Sequence, residues 1–147
     1  MQKLDLKITN GTVANSTETF RSDIGIKDGV IVAIGKEIGD SERIIDAKGQ
    51  FVLPGGIEAH CHIEQESSSG IMTSDDYYSG SVSAAFGGNT CIIPFAAQHR
   101  GQNLHDVLDL YHGRAGQKSV IDYSFHLIIS DPTENVIKNE LPDVIEQ

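Results

Sequence analysis

No apolar run in these 147 residues approaches the ~20 that a membrane span needs. The opening segment, Met1-Gln2-Lys3-Leu4-Asp5-Leu6-Lys7, alternates polar and apolar residues and lacks the apolar stretch of a signal peptide. A cytoplasmic location is the expectation. Basic residues are scarce: 11 Lys and Arg stand against 21 Asp and Glu, for a formal net charge of -10. Such a balance excludes nucleic acid and anionic membrane surfaces as partners and favours plain solubility. Cysteine is too rare for a disulfide framework. Cys61 and Cys91 both lie in apolar, strand-like settings and read as reduced and buried. No internal repeat or low-complexity tract occurs.

Apolar residues make up 39% and charged residues 22%, enough for a packed core. Residues 1 to about 50 are strand-like. Leu4, Leu6 and Ile8 alternate with Asp5, Lys7 and Thr9, the period of a half-buried strand. Asn10-Gly11 and Asp28-Gly29 both predict hairpin turns. Asn15-Ser16-Thr17 and Lys48-Gly49-Gln50 mark further turns, and Val30 to Gly35 and Ile44 to Ala47 further strands. Short strands at this spacing predict a small antiparallel sheet or half a sandwich, a scaffold without chemistry. Its expected extent is residues 1–52, with a second region over 53–147.

The organising stretch runs from Phe51 to His62. Phe51 to Leu53 read as a buried strand that meets the breaker Pro54-Gly55-Gly56, and a short segment from Ile57 to Ile63 follows. Strand side chains alternate, so His60 and His62 project to one face and Cys61 to the other. Two imidazoles on one face are what a divalent transition metal takes from a single strand. The plainer alternative is two polar residues at a strand end. The loop that leaves them, Glu64 to Thr73, is rich in small residues and well placed to touch a substrate.

Ser74 or Asp75 caps an expected helix that ends at Gly87-Gly88. Thr90 to Ala96 reads as a parallel strand buried on both faces. Leu104, Val107, Leu108 and Tyr111 give a core-facing helix over 104–115. Val120 to Ile129 predicts a third strand, with His126 as a core histidine. Asp131-Pro132-Thr133 opens a last helix that Pro142 interrupts. His99, just past the second strand, is either a cleft-lining residue or a solvated loop residue, and His105 and His112 are helical surface residues. Strand and helix alternate three times, which means βαβ units on a parallel sheet. Three units do not close a (β/α)8 barrel, which takes ~250 residues. The chain therefore reads as one part of a larger barrel.

Val52-Leu53-Pro54-Gly55-Gly56-Ile57-Glu58-Ala59-His60-Cys61-His62 resembles the metal-binding signature of the cyclic amidohydrolases, the family of dihydropyrimidinase, hydantoinase, allantoinase and dihydroorotase. Asp75-Asp76-Tyr77-Tyr78-Ser79-Gly80 and Ala84-Ala85-Phe86-Gly87-Gly88-Asn89-Thr90 are similar to the dihydropyrimidinase/hydantoinase branch. The resemblance implies an α/β fold: an N-terminal β-sandwich portion followed by the first three βα units of a metal-dependent-hydrolase TIM barrel. It implies metal-assisted hydrolysis of a small cyclic amide, a hydantoin or dihydropyrimidine ring, at a binuclear Zn2+ site in a homo-oligomer, a tetramer. His60 and His62 would hold the more buried ion. Residues of the substrate loop would be Glu64, Gln65, Ser69, Gly70 and Met72. A bridging lysine carbamate, two later histidines and a late aspartate complete such a site. Lys118 precedes the third strand and Lys138 lies inside a helix, so neither suits the bridge, and no catalytic residue is assigned within these 147 residues. Ile63-Glu64-Gln65-Glu66 offers no arginine for an acidic substrate's carboxylate, which disfavours dihydroorotase. A non-catalytic dihydropyrimidinase-related scaffold and an allantoinase-like hydrolase are the alternatives.

Overall fold

The computed structural model describes residues 3–67 and 69–146. The chain divides after Pro54 into two units.

The first unit is one sheet. Its strands are β1 (Leu4–Ala14), β2 (Thr19–Lys27), β3 (Val30–Gly35), β4 (Ser41–Asp46) and β5 (Phe51–Val52). They are ordered β3-β2-β1-β4, with β5 also on β1. The Asp28-Gly29 turn forms as expected, with φ of 51° and 76°, the double left-handed pair of a tight hairpin. Asn15 closes the other hairpin by accepting from the N–H groups of Thr17 and Glu18.

Asn10-Gly11 is not a hairpin. β1 runs through it, and the register with β2 shifts between Ile8 and Gly11. Asn10 takes φ 56° at this bulge. Its N–H donates to Asp23 Oδ1 (3.1 Å) and its side-chain amide to Asp46 Oδ1 (3.0 Å). The left-handed conformation that suits Asn to a tight turn suits it equally to a bulge. Continuing β1 keeps Gly11 to Ala14 paired with Ser22 to Thr19.

Nor is the sheet purely antiparallel. β4 and β5 both run parallel to β1. Residues 36–40 carry the chain from the β3 edge across to the far side of β1, so β4 enters in the direction of β1. Phe51 and Leu53, expected to be buried, are 67% and 62% exposed. A two-residue strand at the end of a single layer has no second layer in this unit to cover it.

The second unit is parallel α/β. Its strands are β6 (Gly56–Cys61), β7 (Asn89–Ala97), β8 (Asp122–Tyr123) and β9 (His126–Ile128), and its helices are α1 (Tyr77–Phe86), α2 (Leu104–Ala115) and α3 (Leu141–Ile145). β7 is central, with β6 on one side and β8 and β9 on the other, all parallel. Asp76 caps α1, one residue later than expected, by accepting from Ser79 N. Asn103 caps α2 by accepting from His105 N. Ile63, Tyr77, Ile92, Ala96, Val107, Tyr111 and Ala115 form the core between helices and sheet.

β7 is fully buried on one face only. Ile92, Pro94 and Ala96 are buried there, whereas Cys91, Ile93, Phe95 and Ala97 are half-buried. The expected third strand is broken into β8 and β9 although both keep one register with β7. Ser124 N donates to Ile92 O, and the next ladder bond would need an N–H from Pro94, which proline lacks. Pro142 does not stop the last helix. A π-helical turn, Val136–Glu140, leads into α3, with Leu141 N bonded to Val136 O. Widening the turn gives the proline ring room against the preceding carbonyls.

Candidate functional site

The site begins where β6 leaves Pro54. A Cβ on Gly55 would stand 2.1 Å from Thr90 Oγ1, and one on Gly56 would stand 2.4 Å from Asn89 Oδ1. Glycine is required at Gly55, where the added atom would also stand 2.6 Å from Thr90 Cβ, because the starts of β6 and β7 press together there. β6 then bulges. Glu58 faces Ile92 and Cys61 faces Pro94, so Ala59 and His60 stand opposite Ile93 alone. Bulges of this kind re-aim side chains beside functional sites. Glu58 Oε1 accepts from His60 N (2.9 Å).

His60 and His62 are both exposed, with ring centroids 5.8 Å apart. Each ring lies 4.9 Å from the Phe95 ring, His62 stacked and His60 edge-on. With Zn–N bonds of about 2.0–2.1 Å, two imidazoles sharing one ion place their centroids about 5–6 Å apart. His62 Nδ1 lies 2.6 Å from Gln65 Oε1. A carbonyl oxygen only accepts, so this nitrogen carries the proton and Nε2 presents its lone pair. Metal-binding histidines are commonly held in this way through the other ring nitrogen. The pair fits two ligands of a divalent ion. Among the described residues no group of three or more His, Cys, Asp or Glu side chains is placed to hold a metal. Cys61 packs against the core, and burial raises its thiol pKa.

Beyond Ile63 the loop is a small hairpin. Glu66 bridges Met72. Ser67 N donates to Ile71 O, and Thr73 N to Gln65 O. Ser69 and Gly70 are exposed, Gly70 at φ 79°. His62, Gln65, Ser67, Ile71, Met72 and Thr73 line a cleft of about 490 Å³. Ser68 lies outside the described residues. Glu64 points elsewhere. It sits at φ 46°, and its carboxylate accepts from Lys118 Nζ (2.8 Å to both oxygens) and Tyr77 N (3.2 Å). Arg114 donates to its carbonyl (2.9 Å). Lys118 also lies 3.6 Å from Asp76, and the hydrogen bond it donates to Glu64 raises its pKa. These bonds pin the exit of the histidine strand to the start of α1 and to α2.

Two neighbours were not foreseen. Phe95 comes from the half-buried face of β7, and only its strand alternation with Pro94 and Ala96 hints at it. His126 was expected in the core. It is exposed, its ring 5.1 Å from Phe95 and its Nε2 2.9 Å from Ala59 O. It starts β9 directly opposite Phe95. His112 of α2 is exposed, as expected, yet its ring packs edge-on against Phe125 at 5.0 Å and its Nδ1 lies 3.3 Å from Tyr123 Oη.

Comparison with known proteins matches residues 1–53 to the N-terminal domain of the urease alpha-subunit. Across 143 residues the chain is 43% identical to a D-hydantoinase of Ralstonia pickettii, covering 96% of this chain and 31% of the relative. It is 38% identical over 131 residues to a dihydropyrimidinase of Dictyostelium discoideum, covering 88% and 26%. A crystal structure of a D-hydantoinase superposes with a TM-score of 0.89 at 43% identity, over 96% of this chain and 30% of that one. The chain thus spans about a third of the length of these relatives. Alike in sequence and in backbone to chains of both names over nearly its whole length, it belongs to the hydantoinase and dihydropyrimidinase family of cyclic amidohydrolases.

Proposed function

We propose that this chain carries the first metal-holding strand of a cyclic-amide hydrolase that opens hydantoin or dihydropyrimidine rings. The observation that carries the reading is the paired imidazoles of His60 and His62, with His62 oriented by Gln65. Family membership supports it, since the relatives are named for these two ring classes. On this reading residues 53–147 open a (β/α)8 barrel and residues 1–52 begin a β-sandwich. The remaining ligands and the bridging group belong to the length of the relatives that this chain does not span. The metal is zinc, two ions in the complete site, and the enzyme is a cytoplasmic homo-oligomer with no nucleic-acid or membrane partner.

Bound there, zinc would lower the pKa of a coordinated water and polarise the amide carbonyl. The chain's own residues prepare that chemistry. His60 and His62 supply neutral nitrogen donors. Gln65 holds His62 in the tautomer that leaves Nε2 free, and Phe95 backs both rings. The Glu66–Met72 hairpin presents Met72 and Ile71, both exposed, beside His62, where they meet the substituent of the ring. Glu64 and Lys118 hold this hairpin in place.

The test is a graft. Replacing the matching segment of the Ralstonia pickettii D-hydantoinase with this chain should yield a protein that binds zinc and hydrolyses hydantoin. In the graft, His60→Ala with His62→Ala should abolish bound metal and ring opening together. A double variant that keeps stoichiometric zinc and normal turnover overturns the assignment. A folded, zinc-loaded graft without turnover on either ring would favour the non-catalytic scaffold.

A further inference from the structure

We propose that His126 is a positioning residue that fixes the bulge carrying His60, and that it is not itself a metal ligand through Nε2. This inference rests on the metal-site reading above. Its basis is a bond that spans three strands. His126 starts β9, Ala59 lies in β6, and β7 runs between them. His126 Nε2 nevertheless stands 2.9 Å from Ala59 O, across 67 residues of sequence. The carbonyl can only accept, so Nε2 carries the proton and has no lone pair to offer a metal. His62 is held in the opposite tautomer, with its proton on Nδ1 towards Gln65. Two histidines touching the same Phe95 ring are thus set for different tasks.

The acceptor is the informative atom. Ala59 immediately precedes His60, inside the two-residue bulge opposite Ile93. The neighbouring strand offers little there, because two residues stand opposite Ile93 alone and its one N–H cannot serve both of their carbonyls. The bulge needs a tie from elsewhere, and His126 supplies it over the top of Phe95. The carbonyl of Ala59 belongs to the peptide unit whose nitrogen is that of His60. Holding the oxygen therefore holds the plane from which the His60 side chain leaves. On its other side Glu58 Oε1 accepts from His60 N. Donor and acceptor together clamp one peptide unit.

Two substitutions, made in the D-hydantoinase graft described above, separate the tie from mere packing. His126→Phe keeps a ring against Phe95 and removes the donor. His126→Gln keeps an N–H at similar reach. In the metal-free protein, ¹⁵N spectra of the imidazoles should show His126 as the Nε2–H tautomer. His126→Phe should move the ring resonances of His60, and His126→Gln should largely restore them. Zn2+ titration followed on the His60 and His62 rings should show weaker binding in His126→Phe, by about tenfold, the low end for outer partners of metal ligands. Binding in His126→Gln should stay close to the parent. Thermal midpoints of both variants should stay close to each other. The Nδ1–H tautomer, unchanged His60 resonances in His126→Phe, or equal loss in both variants overturns the inference. If Zn2+ shifts neither His60 nor His62 in the parent, the metal reading fails, and the metal-free spectra still decide whether His126 positions His60. Should His126→Phe fail to fold, His126→Gln alone decides: parental resonances support the tie, and displaced ones overturn it.

Discussion

Tyr77 concentrates the tension of the core at one atom. The residue is fully buried at the start of α1, among Tyr111 and Phe125, and its Oη has no hydrogen-bond partner among the described residues. Burial drives its pKa above the ordinary phenol value of 10.0, so the hydroxyl is neutral at every physiological pH. A buried donor without a partner costs about 1–3 kcal/mol, and removing it together with its need can be neutral or stabilising. Tyr77→Phe should therefore leave stability unchanged or raise it by about 1 kcal/mol, read by denaturant unfolding. A loss larger than that would reveal a partner for the hydroxyl. Glu64 makes the contrasting case. A non-glycine residue at positive φ is strained, yet here its carboxylate and carbonyl gather Lys118, Tyr77 N and Arg114.

At the scale of elements, α1 depends on its cap. Asp76 accepts from Ser79 N at 2.8 Å and faces Lys118. The Ser79 bond, chiefly, holds its carboxyl below the ordinary 3.8. A carboxylate with a depressed folded pKa stabilises above the unfolded value, and that contribution disappears as pH falls through the folded one. Asp5 and Asp46 are depressed likewise, by Lys27 and Asn10 first. Stability should hold from neutrality down to about pH 4 and then decline. Asp76→Asn keeps a capping oxygen and removes one titrating group, so its stability should fall less steeply over that range. A variant with the same acid slope as the parent would show that the cap is not linked to acid unfolding. Elsewhere the elements follow local rules until a proline or a bulge intervenes: Pro94 parts β8 from β9, and Pro142 rides on a π turn.

On the scale of the whole molecule, each unit leaves apolar surface open. In the first, the register aligns Ile34, Ile24, Ile8 and Ile45 in one row across four strands. Ile24 is buried, but Ile34 and Ile45, at the two ends of the row, are exposed. In the second, Phe86 is 92% exposed at the end of α1, and β8 and β9 form a sheet edge. Open edges and apolar patches invite association. The isolated 147-residue chain should self-associate or dissolve poorly in size-exclusion runs. It should also leave hydantoin and dihydrouracil intact with zinc and bicarbonate present, since its imidazole pair falls short of the three protein ligands usual in catalytic zinc sites. A monodisperse monomer turning over either ring at ~1 s⁻¹ or more would place the site among residues assigned here to structure.

Much of this was legible in the residues. Alternation gave the first half of β1, the Asp28-Gly29 pair gave its hairpin, and spacing gave α2 with both of its ends. These features rest on interactions within a few residues, which a sequence records directly. The H-x-H spacing after Pro-Gly-Gly could be read directly, whereas the crowding at Gly55 and Gly56 comes from Thr90 and Asn89 on β7, more than thirty residues away. Tertiary pairing decided the rest. Asn10-Gly11 suits a turn and a bulge alike, and the partners Asp23 and Asp46 select the bulge. β4 and β5 run parallel to β1 because of where the chain crosses, which no local pattern encodes. His126 has the sequence of a core residue, and only the carbonyl of Ala59, 67 residues away, makes it a tie at the site's edge. Short-range chemistry set the candidate ligands, and the packing of β6, β7 and β9 set what surrounds and steadies them.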